Sequence, residues 1–522
     1  MSRFKISKKL VLINSASSAF VLLLNFSVLI WLQQYLLKRI SPEEYSLFPL
    51  LMAIMVFAPL VTIVLTEGLG RYITIAYAKE DDAEIERICS TMFPILCLAG
   101  IVFLGVGWVG AWHIDSLLDI TPEFVADAQL MMALLVFSAS LRIPLAIFGS
   151  GFLVTQKLML QDMIDVGCQL LRLAVLFVLL FGDSARILWV VVAMVIAETT
   201  SLLISTVVSM RLVPALRVRW GIFHRYIASE VTGYGGWGFV NRIAETFKQA
   251  IDPLILNKFA SAVDVTIFHV GGIAPRQLRL MLSPLSRPLL PVLTGMYATG
   301  DFIKLRNTYL RTARYHTWLL LLVAVPAIIF SNEVMHIYLD GKYDEAGAVM
   351  AVLLLVTVLN SFNSLGPAVA AAAGKMKELS LRYITVHGVN LVLTILLVVY
   401  LQKGALGSAM ATLLAVVFIE ATLFWPFCRK VAHAPTSLWL KEVALPCLGT
   451  ALPPVALCLT LKLAVGIDTW SELMLVTSLS VMLHLVLIGL FGLRQQDRID
   501  IGRLGNLLSG PIKTLVLYFA EK

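Results

Sequence analysis

Arginines stand in this chain where apolar residues surround them, and their chemistry is the first thing to explain. Arg142, Arg172, Arg242, Lys248, Arg276, Arg279 and Arg287 lie inside long apolar stretches, and Lys462 lies near the end of another. A guanidinium holds a phosphate or carboxylate through paired N–H donors. An ionisable group facing lipid costs roughly 2.5–3.5 kcal/mol or more, so such residues must face protein or a water-filled space. Arg276, Arg279, Ser283 and Arg287 share one helical face with no acid among them. Arg242, Glu245, Gln249 and Asp252 share another, flanked by Asn241 and Lys248, and Asp162, Asp165, Gln169 and Arg172 repeat the idea. Residues three and four apart in a helix lie side by side. Amides are added by Asn14, Asn25, Gln33 and Gln34, and by Asn360 and Asn363.

Two roles follow. An anion-binding set of Arg276, Arg279, Arg172, Arg142 and Arg242, with Asn25, Asn241 and Lys248, suits a phosphate or acidic sugar. Embedded acids can carry a coupling proton or sodium ion, with Glu245, Asp252 and Asp165 the deepest, ahead of Glu198 and Glu420. The competing structural reading pairs each arginine with an acid to fix helix packing. It weighs more for Arg172 and Arg242, which have acids at helical spacing, than for Arg276 and Arg279, which do not.

The elements that position these residues are membrane helices. Of 522 residues, 59% are hydrophobic and 14% charged, against about 25% charged in soluble domains, and mean hydropathy is +0.87. This excludes a soluble enzyme, a disulfide scaffold and a disordered chain. Apolar windows predict an all-α polytopic membrane protein of about fourteen spans, near 11–37, 47–66, 91–112, 128–150, 164–181, 187–209, 231–256, 265–290, 315–331, 347–373, 383–401, 406–427, 443–465 and 472–491. Prolines 275, 284, 288 and 291 are expected to kink or break the eighth. With both termini cytoplasmic, 27 cations fall on the cytoplasmic side and 6 outside, as the positive-inside rule requires. The basic start precedes an apolar stretch too long for a cleaved leader and reads as a retained first helix. The net charge of +8 therefore reflects topology and does not imply a nucleic-acid partner.

A shift of 218 residues lays spans 1, 3 and 6 on spans 7, 9 and 12, Gln156-Lys157 on Gly374-Lys375, and Ala128 on Ala346. Two parallel six-helix repeats follow, with the substrate site expected between them. The division is 1–210 and 229–430 for the lobes, 211–228 for a cytoplasmic linker, 431–492 for two extra helices and 493–522 for a tail.

Other chemistries find little support. The six cysteines form no C-x-x-C pair and read as small hydrophobes. His113, His336 and His484 have no second ligand nearby, so neither a metal site nor any cofactor is indicated. Gly233-x-Gly235-Gly236 lies within a span, so a nucleotide loop is a poor reading. A membrane glycosyltransferase or polymerase commonly shows a D-x-D motif or a long catalytic loop, and neither is present. The expectation is a non-enzyme.

Several runs are similar to bacterial polysaccharide flippases: Asp252-Pro253-Leu254-Ile255-Leu256, Ala262-Val263-Asp264, the proline-rich Arg287–Pro291, and Tyr297-Ala298-Thr299-Gly300-Asp301. So are Ile337–Tyr343, Ala346, Ala373-Gly374-Lys375, and Gly70-Arg71 with Ala78-Lys79-Glu80-Asp81. The chain resembles the polysaccharide transport (Wzx-type) family, in the superfamily of MATE exporters and lipid II flippases. The resemblance implies a two-lobed, V-shaped transporter in the bacterial inner membrane. It implies translocation of undecaprenyl-diphosphate-linked oligosaccharide for O-antigen, capsule or exopolysaccharide synthesis, by alternating access coupled to H+ or Na+. Membrane lipid, a polysaccharide polymerase and chain-length proteins are the implied partners. A MATE-like drug antiporter and a lipid II flippase are the alternatives; two helices beyond twelve lean away from the first, and a span 1 without arginines from the second.

Overall fold

The computed structural model describes residues 32–155, 157–182, 185–219, 221–232, 236–286, 289–464, 466–494 and Asp497. Among them the chain is helical, with no strand. Eleven helices are long and apolar enough to cross a membrane: Pro42–Leu60, Asp82–Trp112, Pro122–Val154, Met159–Leu180, Ile187–Leu212, Phe302–Ile329, Glu345–Ala372, Met376–Tyr400, Gly404–Val431, Thr436–Ala464 and Trp470–Gly492. They correspond to predicted spans 2–6 and 9–14. Span 1 lies outside the described residues except for the helical Leu32–Leu37.

The two remaining spans depart from simple apolar helices. Span 7 is a helix of 24 residues, Gly236–Phe259 (α1), which carries Arg242, Glu245, Lys248, Asp252 and Lys258. Span 8 parts at Gly272 into Ala262–Gly271 (α2) and Ile273–Ser286 (α3), and the helix Leu289–Ala298 (α4) lies beyond residues 287–288, which are outside the described residues. The expectation that prolines set the break needs correction at its first point. The helix parts at Gly271–Gly272, and Pro275 follows inside the first turn of α3, where a missing N–H costs nothing. Glycine is required there by close approach. A Cβ on Gly271 would come within 2.8 Å of Val349 Cγ1 and 2.9 Å of the Ala346 carbonyl. We predict that Gly271→Ala forces α2 off the helix Glu345–Ser361 and costs roughly 1–3 kcal/mol, read as a lower thermal midpoint of the purified chain. An unchanged midpoint would show that the two helices separate freely.

Two turns 218 residues apart make the same hydrogen bond. Lys157 N–H bonds the Phe152 carbonyl and Lys375 N–H bonds the Ala370 carbonyl, both at 3.0 Å, an offset of 218. Before spans 3 and 9 the offset becomes 220. Asp81 caps the helix by accepting from Glu84 N–H, as Asp301 accepts from Lys304 N–H, satisfying an orphan donor. The preceding residue takes positive φ in both turns, 60° at Glu80 and 71° at Gly300.

Core packing differs between the two ends of the bundle. At one end a single apolar core joins Leu36, Leu50, Ala128 and Val191 to Leu256, Val265, Ala346 and Ala409. At the other there are two cores. One gathers Ile73, Ile85, Met92, Ile147 and Leu216; the other gathers Leu305, Tyr309, Val369, Phe424 and Cys447 there and continues along the late helices to Phe330. The early and late helices are thus sealed together at one end and packed separately at the other.

The last two helices are pinned to Phe302–Ile329. Arg314, counted from the sequence as a cytoplasmic loop cation, lies in that helix with its side chain 3% exposed. Its guanidinium bonds Asp497 Oδ2 at 2.5 Å and the Glu442 carbonyl at 3.0 Å. Tyr315 donates to Asp497 at 2.6 Å, and Arg494 pairs with Glu442. Lys462, near a helix end, pairs with Glu333 at 2.8 Å and bonds the Ile329 carbonyl at 2.7 Å. All six cysteines are free and five are buried.

Candidate functional site

The structure distributes the predicted site residues over three places. The first is the break in span 8. Arg276 and Arg279 sit on consecutive turns of α3, on one face. Protein surrounds both guanidinium groups closely, yet both residues remain exposed. Arg276 donates to the His269 carbonyl at 2.8 Å across the glycine break. His269 packs edge-on against Tyr45 and Phe48. Among the described residues neither arginine has a carboxylate partner, and the two repel each other. Sequence reasoning had the arginines but missed His269, Tyr45 and the carbonyl that orients Arg276, since those contacts depend on the break.

The second place is the charged face of α1. Asp252 is buried and accepts from Thr394 Oγ1 at 3.3 Å. One turn along the same helix, Asn390 donates to Thr412 Oγ1 at 3.2 Å. A polar seam therefore runs between α1, Met376–Ile395 and Gly404–Leu414. The side chains of Asn241, Arg242, Glu245 and Lys248 lie outside the described residues, as do Asn25, Arg287 and Gly233–Gly235.

The third place is a partly enclosed chamber of about 360 Å³ between Pro122–Val154, Leu158–Gly182 and Ile187–Leu212. Arg142 pairs with Glu198 at 3.2 Å. Asp165 accepts from Ser201 at 2.9 Å. Arg172 was placed in the anion-binding set, with an acid on its own helix, Asp162 or Asp165, as the competing structural partner. The acid acting on it is instead Glu198, on the helix Ile187–Leu212. Arg142 and Glu198 are 56 residues apart, which no local spacing reveals. Arg142 and Arg172 are therefore balanced by acids, unlike Arg276 and Arg279.

Polar contacts between early and late helices cluster at the sealed end. Asp119 and Asn257 exchange two hydrogen bonds of 3.0 Å, and Lys258 pairs with Asp119 at 3.2 Å. Lys38 pairs with Asp340 at 2.6 Å. Lys342 bonds the carbonyls of Leu37 and Ile40, and Thr266 bonds that of Pro42. Gln34, expected among the cavity amides, donates to the Tyr338 carbonyl at 2.9 Å and belongs to this clasp. Asn363 likewise serves packing, accepting from Tyr309 at 2.7 Å.

Solved transporters share this fold. The lipid II flippase MurJ in an inward closed conformation aligns with a TM-score of 0.67 at 13% identity, covering 92% of this chain and 98% of that one. An inward-facing multidrug resistance MATE family transporter of the MOP superfamily aligns at 0.61 and 14% identity, over 78% and 94% of the two chains. A MOP superfamily transporter from Pyrococcus furiosus, described by the reverse polarity of its binding pocket, aligns at 0.60 and 13% identity, over 82% and 99%. No curated protein matches the chain in sequence. The model of the family described as polysaccharide biosynthesis protein matches residues 36–348. With that match over more than half its length, and with the transporter fold just described, this multi-pass membrane protein belongs to the polysaccharide biosynthesis protein family.

Proposed function

We propose that the chain is a flippase that carries undecaprenyl-diphosphate-linked oligosaccharide from the inner to the outer leaflet of the bacterial inner membrane, by ion-coupled alternating access between two six-helix lobes. The observation that carries this reading is Arg276 with Arg279: two exposed guanidinium groups on one helix face, with no carboxylate partner among the described residues. A diphosphate offers oxygens to both, and charge-assisted bonds of this kind are about twice as strong as neutral ones.

Sidedness supports the direction. The sealed end carries Lys38, Lys258 and Lys342, from the cation-poor set of loops, and is therefore the outer end. The end at which the two cores pack separately is then the cytoplasmic one, the side on which lipid-linked units are assembled. MurJ is by name a lipid II flippase, and this agrees with the reading.

Coupling falls to Asp252, with Glu245 on the same face of α1. A buried carboxylate with a hydroxyl beside it can take up a proton, or a sodium ion together with that hydroxyl. Asp252→Asn is expected to lower transport by roughly tenfold, about the value of one lost charge-assisted hydrogen bond, and to make the residual transport insensitive to ionophores. Residual transport as gradient-dependent as that of the unaltered chain would remove Asp252 from the coupling role. The function itself is tested by deleting the gene. The expected result is loss of a surface polysaccharide with its lipid-linked unit trapped on the cytoplasmic side. Normal glycans together with accumulation of cationic drugs would replace the flippase with a drug antiporter.

A further inference from the structure

The chamber in the first half has a different character from the arginines of α3. Its formal charges cancel, with Arg142 and Arg172 against Asp165 and Glu198. It has no surplus cation to draw a phosphate and no surplus acid to draw a metal ion. What it has is density of hydrogen-bonding groups, both donors and acceptors, including Gln169 and Ser201. The three helices turn these groups away from lipid. On Leu158–Gly182 the chamber residues Asp165, Cys168, Gln169 and Arg172 lie opposite the exposed Met163, Leu170 and Phe177. On Ile187–Leu212, Glu198 and Ser201 lie opposite the exposed Ile196, Leu203 and Val207. The chamber therefore faces the interior of the protein. One donor in it is unmet: Arg172 Nε is buried and has no hydrogen-bond partner among the described residues, a costly state that a ligand acceptor relieves.

We propose that this chamber is a carbohydrate subsite, which holds one or two hydroxylated sugar rings of the glycan while Arg276 and Arg279 hold its diphosphate. The inference rests on the flippase reading. Each sugar hydroxyl both donates and accepts, so a neutral polyol satisfies the guanidinium, amide and carboxylate groups together without leaving a net charge buried. A volume of about 360 Å³ lies at the low end of small-molecule sites, roughly 300–1,000 Å³. That suits part of a repeat unit and not the whole. The sugar and the diphosphate are then read by different helices, so glycan specificity can change without touching the anion site.

The test uses the full chain in lipid nanodiscs with two probes: bare undecaprenyl diphosphate, and the free oligosaccharide released by mild acid from the lipid-linked pool of the strain that carries the gene. The unaltered chain is expected to bind both. Gln169→Ala and Asp165→Asn should each weaken oligosaccharide binding roughly tenfold, the effect of a lost hydrogen bond to a charged or buried group, and leave undecaprenyl diphosphate binding unchanged. Arg276→Ala should do the reverse. Unchanged oligosaccharide binding in both chamber variants overturns the subsite. So does a change confined to the ion-gradient dependence of transport, which would make the chamber an ion site. Should both variants lose both ligands through misfolding, Gln161→Ala at the chamber edge must still weaken the oligosaccharide alone, or the proposal fails. Failure of the unaltered chain to bind undecaprenyl diphosphate instead sinks the flippase reading on which the subsite rests.

Discussion

Arg276→Ala and Arg279→Ala should each abolish export of the lipid-linked unit while the protein accumulates in the membrane at its normal level. The expected loss is large because the two side chains have no carboxylate partner among the described residues, so no other group in that set offsets the charge when a substrate is absent. Hydrogen bonds to charged groups are worth about 1.5–3 kcal/mol each. Losing one or two of them to a diphosphate lowers transport by roughly a hundredfold. Stability should change little. Among the described residues Arg276 hydrogen-bonds only His269, and Arg279 is exposed. Arg276→Lys separates charge from geometry, since an ammonium keeps the charge but loses the planar fork. Partial transport in Arg276→Lys is expected. Wild-type transport in both alanine variants would remove the anion site from α3. Leaflet accessibility of the lipid-linked pool is the readout, with protein level measured in parallel.

The largest stability effect is expected at Arg314. Its side chain is 3% exposed and that of its partner Asp497 is 1% exposed. Removing the guanidinium leaves the buried Asp497 carboxylate without its counter-charge, while Glu442 keeps Arg494. Breaking a buried pair by deleting one partner costs about 3–5 kcal/mol. Arg314→Ala should therefore lower the thermal midpoint of the full chain in detergent more than either α3 variant does. The same reasoning makes a second expectation. Replacing Arg314, Asp497 and Glu442 together by apolar residues of similar volume should recover most of that loss, because the desolvation cost of the ions disappears with them. An Arg314→Ala variant as stable as the unaltered chain would show that water reaches the cluster. The site matters to function because it fastens Thr436–Ala464 and the start of the tail to Phe302–Ile329.

Much of this architecture could be read from the sequence, for a physical reason. A membrane span is specified locally, by a run of apolar residues, so predicted spans 2–6 and 9–14 reappear as apolar helices. The likeness of two loops was legible in their chemistry, and the turns at Phe152–Lys157 and Ala370–Lys375 make the same hydrogen bond. Polar faces were legible as well, since residues spaced by three and four must share a side. Partnership was not. Arg172 faced an acid on its own helix in the sequence and is acted on by Glu198 from another in the structure. Arg142 meets Glu198 and Arg314 meets Asp497 across 56 and 183 residues, and one chain carries no record of which distant acid a cation will meet. The break in span 8 was expected from its prolines, yet the first break falls at Gly271–Gly272. Helix proximity to Val349 decides that point, and proximity is a tertiary fact. The separation of a charge-balanced chamber from an unbalanced arginine face follows only once these pairs are known.

The central claim is that Arg276 and Arg279 hold the diphosphate of a lipid-linked glycan during its passage between leaflets. The most direct measurement reconstitutes the full chain in proteoliposomes containing the lipid-linked oligosaccharide of its own strain, then follows the leaflet accessibility of the glycan to an impermeant enzyme under an imposed ion gradient. The account predicts glycan translocation by the unaltered chain and none by Arg276→Ala or Arg279→Ala. Translocation that is absent in the unaltered chain, or equal in all three, would contradict it.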